Sequence, residues 1–323
     1  MRHLRFKLSK ITLSLVIDKK YIEPALVTLL TLLKFKKLYK SLKLVLIKKN
    51  EDTQRDINEI ISLIDEFKIS FDSVNFIELV IIEDKFPEFS KFHFSNAILY
   101  KIFLPVILNS EDFILNVDAG SLFQDKFNEF SNYLNKLIFL SNEFIVGAFL
   151  QSSKMQMPIE ITRHSNFYPS GSLILFNSRN YFLNKISDRI AKFYNENAFY
   201  LKYAEQEILC AVIDDLEFFN FEGIENVYLD DLSNYVTGNY SPIDQNKLNN
   251  SIFYKNQGSI KPWKKWNLNP NKAIYLKYRN DISRLVDLNQ YSFIREERES
   301  VSENLISFKD ANFLSYEKYL IKR

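Results

Sequence analysis

Asp118 closes an apolar run, Phe113-Ile114-Leu115-Asn116-Val117, and is followed by Ala119-Gly120. A carboxylate at the exit of a buried strand, with a glycine behind it, lets a ligand come close to the backbone. Ligands of open α/β sheets sit at that edge. The same decapeptide also describes a strand that ends in an ordinary turn capped by Asp118, and alone it does not choose. Three other stretches carry comparable side chains: Asp18-Lys19-Lys20-Tyr21, Glu205-Gln206-Glu207, and Lys255-Asn256-Gln257-Gly258-Ser259-Ile260-Lys261. Each has a plainer reading. Asp18 and Tyr21 also fit a turn aspartate and a half-buried tyrosine. Glu205 fits the first turn of a helix, where the dipole favours acids.

The elements that must position these groups follow from periodicity. Ile11–Ile17 reads as the first strand, with Asp18 at its exit, at the sheet edge where a nucleotide lies in doubly wound folds. Pro24 suits a first helical position, and Ala25, Leu29, Leu32, Leu33 and Lys36 trace a helix behind that strand. Leu42–Ile47 and Val74–Ile82 read as strands. Between them Glu51–Phe67 has Ile57, Ile60, Ile61, Ile64 and Phe67 at helical spacing, with Glu51 and Asp52 in the first turn. Phe144–Phe149 is a further strand, Gln151 to Asn166 a polar, irregular loop, and Tyr181–Asn195 an amphipathic helix. Alternating strands and helices ahead of Asp118 make the nucleotide-binding half of an α/β sheet. The Gly-rich dinucleotide fingerprint is absent, which argues against a dinucleotide enzyme.

Composition narrows the classes. At 323 residues, 46% hydrophobic and 25% charged, the chain is that of a soluble globular protein with room for one large or two ordinary domains. Its 42 basic and 40 acidic residues leave a net charge of +2, too little for the field that non-specific nucleic-acid binding needs. One cysteine, Cys210, and three scattered histidines offer neither a disulfide framework nor a zinc cluster. A reducing, cytoplasmic location fits. No stretch approaches the roughly 20 apolar residues of a membrane span, and no signal peptide is apparent. Lys34, Lys36, Lys37, Lys40 and Lys43 make a positive face, which reads either as solvated or as peripheral contact with anionic lipid.

The stretches together resemble glycosyltransferase family 8, retaining enzymes of GT-A fold whose signature strand ends in Asp-x-Asp. Asp118 matches the first Asp and Gly120 the second. Ser95 to Pro105 resembles the family's helix with Tyr-Arg before Leu-Pro, Lys101 standing at the sugar-contacting Arg. Tyr168-Pro169-Ser170-Gly171 is similar to Phe-Asn-Ser-Gly, and Glu205-Gln206-Glu207 to Asp-Gln-Asp beneath the donor sugar. Phe253 to Trp263 resembles His-x-x-Gly-Pro-x-Lys-Pro-Trp. The likeness covers about residues 10–275. It implies a GT-A domain over 1–275, a Rossmann-like core with a mixed central sheet, and a helical extension over 276–323 that either packs on the core or meets a membrane.

The resemblance also implies roles. Asp18 would hydrogen-bond uracil and Tyr21 stack on it. Ala119, Gly120, Ser170, Gly171 and Gly258 would border the donor, with Lys261 on the diphosphate. Gln206 would lie near the anomeric carbon, and Glu205 is the candidate nucleophile of a double displacement. Front-face attack, in which the leaving phosphate takes the acceptor proton, is the favoured route.

The departure from the pattern concerns the metal. Of the family's two Asp residues and one His that hold a divalent cation, this chain keeps Asp118, the one candidate ligand here, while Lys255 replaces the His. Two carboxylates and a divalent cation sum to zero charge, and so do one carboxylate and one ammonium. Lys255 with Lys261 is therefore expected to replace the metal, with Mn or Mg required only if that compensation fails. The expected activity is transfer of a hexose from UDP-glucose or UDP-galactose to a saccharide or lipid-linked hydroxyl, as in bacterial lipopolysaccharide or capsule synthesis. The alternative is an inactive nucleotide-sugar binder or scaffold of the same fold.

Overall fold

The computed structural model describes residues 10–85, 96–140, 143–151, 168–198, 201, 205–221, 227–229, 251–256, 261–265 and 272–300. Its centre is a seven-stranded sheet. β1 (Ile11–Ile17), β2 (Ser41–Lys48), β3 (Ile77–Glu83) and β4 (Phe113–Val117) run parallel, with β2 and β3 on one side of β1 and β4 on the other. β7 (Tyr168–Asn177) runs against both β4 and β6 (Val146–Gln151), and β8 (Phe218–Asn220) closes the edge parallel to β6. The order is β3-β2-β1-β4-β7-β6-β8, in which β7 alone is reversed. The chain changes direction across the sheet between β1 and β4, so the crevice at their carboxyl ends is the switch point where such sheets bind ligands.

β1 and β4 are buried at every residue, as expected of strands covered on both faces. On one face Leu13, Leu15 and Ile17 pack with α1 (Ile22–Leu33), α2 (Gln54–Ser70) and α5 (Phe127–Leu140). On the other, Val16, Val45, Ile114 and Ile174 meet α3 (Ala97–Tyr100), α4 (Leu104–Ile107), α6 (Ser178–Leu183), α7 (Ile186–Asn197) and α8 (Glu205–Val212). A three-stranded sheet lies beside this core. β10 (Phe253–Asn256) runs antiparallel to β5 (Ser121–Phe123) and parallel to β9 (Val227–Leu229).

Several boundaries differ from the sequence expectation for local reasons. α1 begins at Ile22, with Pro24 third, and ends at Leu33, so Lys36 lies in a separate 3-10 turn. α2 starts at Gln54 because Thr53 and Asp56 form a capping box. Asp52 stays outside the helix, accepting from Lys49 N and pairing with Lys19. The strand expected from Val74 begins at Ile77, and Val74 is exposed. The single helix expected over Tyr181–Asn195 is two, α6 and α7, divided by Lys185 at φ +50°. That left-handed residue reverses the chain without the glycine that usually marks such a break.

After α8 the chain returns to the first layer. α9 (Lys272–Ser283) packs on α1, and Tyr275, Ile282, Leu288, Phe293 and Ile294 enter the same core as Leu29. α10 (Ser292–Glu299) rests on the 3-10 turn 19–21. Residue 275, the expected domain limit, falls inside α9. The basic face has its own partners: Lys36 pairs with Asp72, Lys40 with Glu111, Lys43 with Glu78 and Glu111, and Lys34 lies over the ring of Tyr278. Among the described residues no helix is long and apolar enough to cross a membrane.

Candidate donor-binding site

At the carboxyl end of β4 the chain turns sharply. Asp118 N donates to Ser172 O of β7 at 3.1 Å and Ser121 N donates to Asp118 O at 3.2 Å. Between them Gly120 adopts φ +85° and donates its N–H to Thr28 Oγ1 at 2.9 Å. A Cβ there would stand 3.0 Å from the Trp263 ring, so both conformation and space demand glycine.

The turn delivers Asp118 to two ammonium groups. β10 pairs with β5 so that Lys255 lies opposite Ser121, and its Nζ donates to Asp118 Oδ2 and approaches Ser172 Oγ at 3.5 Å. Lys101, on the 3-10 turn between α3 and α4, donates to Asp118 Oδ1. Its Nζ is also 3.9 Å from Glu205 Oε1, because α8 packs against both β7 and that turn. The resemblance sets Lys101 at the sugar; in the structure it lines the cleft with its ammonium on Asp118. Two cations therefore share one carboxylate. Burial opposes ionisation of Asp118, but Lys101 and Lys255 outweigh it and hold the carboxyl well below the usual range. Burial likewise opposes charge on Lys101, yet Asp118 and Glu205 keep its pKa above the ordinary lysine value. For Lys255 burial prevails, aided by repulsion from Lys101, and its pKa falls.

Glu205 opens α8 directly behind Gly171. A Cβ on Gly171 would stand 2.4 Å from Glu205 Oε1, so that glycine makes room for the carboxyl. The side chain is buried, and Oε2 has no hydrogen-bond partner among the described residues. Burial, reinforced by Asp118 and opposed by Lys101, raises its pKa to about 8, so at neutral pH it is largely protonated. With Glu205 neutral, Asp118, Lys101 and Lys255 sum to one excess positive charge. Next to it Gln206 is tied at both ends of its carboxamide: Nε2 donates to Pro169 O at 2.7 Å, and Oε1 accepts from Tyr168 OH at 3.1 Å. Ser170 is fully buried, and its Oγ accepts from Ser172 N at 3.4 Å.

Lys101, Asp118 and Lys255 floor an open cleft. Tyr21, Lys101, Asp118, Ala119, Lys255 and Lys261 all line it, beside Val16 and Ile17 of β1. Tyr21 is half-buried and meets Trp263 edge-on, with ring centroids 5.6 Å apart. Asp18 is buried. Its Oδ1 caps the 3-10 turn by accepting from Lys20 N at 3.0 Å, and Oδ2 faces Lys49 Nζ at 3.3 Å. Lys49 was not singled out in the sequence, although it follows β2, the neighbour of β1, and so reaches the same sheet edge. Ser172 and Thr28 were also missed, because their role is to hold backbone and ammonium groups in place. Gly258 lies outside the described residues.

Among the described residues no three His, Cys, Asp or Glu side chains gather to hold a metal ion. Among the described residues the cleft offers one carboxylate, and both its oxygens already accept from ammonium groups, a donor set that does not suit a divalent cation.

No protein-family model and no curated protein sequence matches the chain. Solved structures do share its architecture. The galactosyltransferase LgtC, in complex with donor and acceptor sugar analogues, superposes with a TM-score of 0.60 at 12% identity, over 84% of this chain and 95% of LgtC. The bifunctional glycosyltransferase WbbM gives 0.57 at 12% identity, over 93% of this chain and 53% of that one. The glycosyltransferase GlyE of Streptococcus pneumoniae TIGR4 gives 0.53 at 14% identity, over 92% and 66%. The fold is that of the GT-A glycosyltransferases.

Proposed function

We propose that this chain is a nucleotide-sugar glycosyltransferase that moves a hexose from a UDP-sugar to a saccharide or lipid-linked hydroxyl, with retention and without a metal ion. What carries this reading is the convergence of Lys101, Lys255 and Lys261 at the switch-point cleft, with Asp118 as the carboxylate between the first two. In the mechanism proposed, the bond between the anomeric carbon and the β-phosphate oxygen breaks first. Lys255 and Lys261 neutralise the charge that develops on the departing diphosphate, the task that preorganised positive charge performs in a site poor in water. The acceptor hydroxyl attacks from the face that UDP leaves, and its proton passes to the β-phosphate. Glu205 is set aside as a nucleophile, because a carboxyl with a pKa of about 8 is mostly protonated at neutral pH. Its neutral form keeps the floor positive for the diphosphate. Tyr21 and Asp18 are assigned to the base, and Gln206 to the underside of the sugar.

A second reading, a nucleotide-sugar binder without turnover, draws on the fixed carboxamide of Gln206, which has both ends engaged. Release of UDP from a UDP-sugar in the presence of an acceptor separates the two. The metal is tested by calorimetric titration of UDP in EDTA, then in excess manganese. Equal affinity in both is the expected outcome. Binding that appears only with manganese overturns the metal-free reading, and no binding in either overturns the donor assignment.

A further inference from the structure

The segment 261–265 carries Lys261 into the cleft and Trp263 against Tyr21, and it is held from outside the cleft by the last described helix. Lys264 is buried, and its ammonium converges on the end of α10: it donates to Glu297 Oε1, to Glu297 O at 2.9 Å and to Ser300 Oγ. Lys265 N donates to Arg298 O at 2.9 Å in the same contact. From the other side Lys272 Nζ, at the head of α9, donates to Lys264 O at 2.7 Å and Lys265 O at 3.1 Å. Inside the segment Lys264 N donates to Lys261 O at 3.1 Å, so what fixes Lys264 fixes the backbone of Lys261. Trp263, buried between Tyr21, Tyr275 and Gly120, is fixed by the same turn.

We propose that Lys264 and Glu297 are a positioning pair for the donor site, which latch α10 onto the 261–265 turn and thereby set Lys261 toward the diphosphate and Trp263 behind the base-stacking Tyr21. The latch touches no substrate. Its role rests on the proposed use of the cleft by a nucleoside diphosphate. On this view α10 is part of the donor site although it lies beyond the sheet.

The test is a double-mutant cycle read by UDP calorimetry, with melting temperatures measured in parallel. Lys261→Ala and Lys264→Met should each weaken UDP roughly tenfold, as loss of one well-placed charge contact does. The double variant should lose clearly less than the two single effects combined, since Lys264 acts in large part through Lys261. Lys264→Arg should restore most of the affinity. A purely structural role would leave the two effects additive, or lower the melting temperature with affinity intact, and either result overturns the inference. If Lys264→Met does not fold, Glu297→Gln, which keeps the backbone contacts, is judged by the same cycle. A wild-type chain that binds UDP while both latch variants bind it equally well defeats the latch alone. A wild-type chain that binds no UDP defeats the donor-site reading and the latch with it.

Discussion

Two buried ion clusters lie near α1, and they differ in what they face. In the clasp between α1 and α9, Glu23 Oε1 accepts from Arg279 Nε at 3.0 Å and Tyr275 OH at 3.2 Å, while the guanidinium also reaches Asn289 Oδ1 at 3.3 Å. One guanidinium contacts the carboxylate, a second, Arg298, donates to the same Asn289 Oδ1 at 3.2 Å and adds its field, and Glu23 and Arg279 are buried in the core. At the cleft two ammonium groups meet one carboxylate, the second carboxyl keeps its proton, and the surplus faces an opening. Burial raises the pKa of both Glu23 and Glu205, so burial alone does not distinguish them. The distinction is where the charges face: the Glu23 cluster closes on the core, whereas Lys101, Asp118 and Lys255 border an opening.

The comparison is tested by removing one cation from each. Arg279→Met leaves Glu23 buried without the cation that contacts it, and should lower stability by about 3 kcal/mol in chemical denaturation, with UDP affinity per folded molecule unchanged. Equal loss of UDP affinity would show that the clasp also serves the cleft. Lys255→Ala should do the reverse. Asp118 keeps Lys101, one of two mutually repelling cations is gone, and the melting temperature should hardly move, while UDP release from a UDP-sugar falls by roughly 10²–10³-fold. Unchanged turnover would sink the assignment of Lys255.

The smallest effect is one of pH. Glu205 carries its proton to about pH 8 when folded, against an ordinary value of 4.5. Between those limits the folded state binds the proton and the unfolded state does not, so this group's contribution to stability is present below 4.5 and is lost as pH rises through 8. Glu205→Gln removes that slope. Its melting temperature should gain on the wild type from pH 5 to 8 and then hold a constant margin. UDP affinity in the wild type should weaken above pH 8, as the floor loses its excess charge, and in the variant this step should be absent; parallel curves would mean that Glu205 does not titrate there.

Much of the first half of the fold was legible because apolar runs are self-contained. β1 and β4 were read to the residue, as were Asp118 and the glycine behind it. The helix expected over Tyr181–Asn195 was not, since its break rests on Lys185 in a conformation that no local signal announced. Lys255 was found through resemblance. Its partnership with Lys101 across Asp118 was not, because it depends on a strand pairing and a 3-10 turn that bring distant segments together. Lys49 was invisible for the same reason: only the pairing of β1 with β2 brings its ammonium to 3.3 Å from Asp18.

The distance along the chain between partners also sets an order of assembly. Asp118 precedes Lys255 by 137 residues, and Glu23 precedes Arg279 by 256. At ribosomal rates of about 5–20 residues per second, Asp118 emerges roughly 7–27 s before Lys255 exists. A nascent chain can pair β1 to β4 in that time, but its floor lacks one of the two cations and its first helix lacks the arginine. Until then these acidic groups resist burial, and the cleft takes its shape only once Lys255 has emerged.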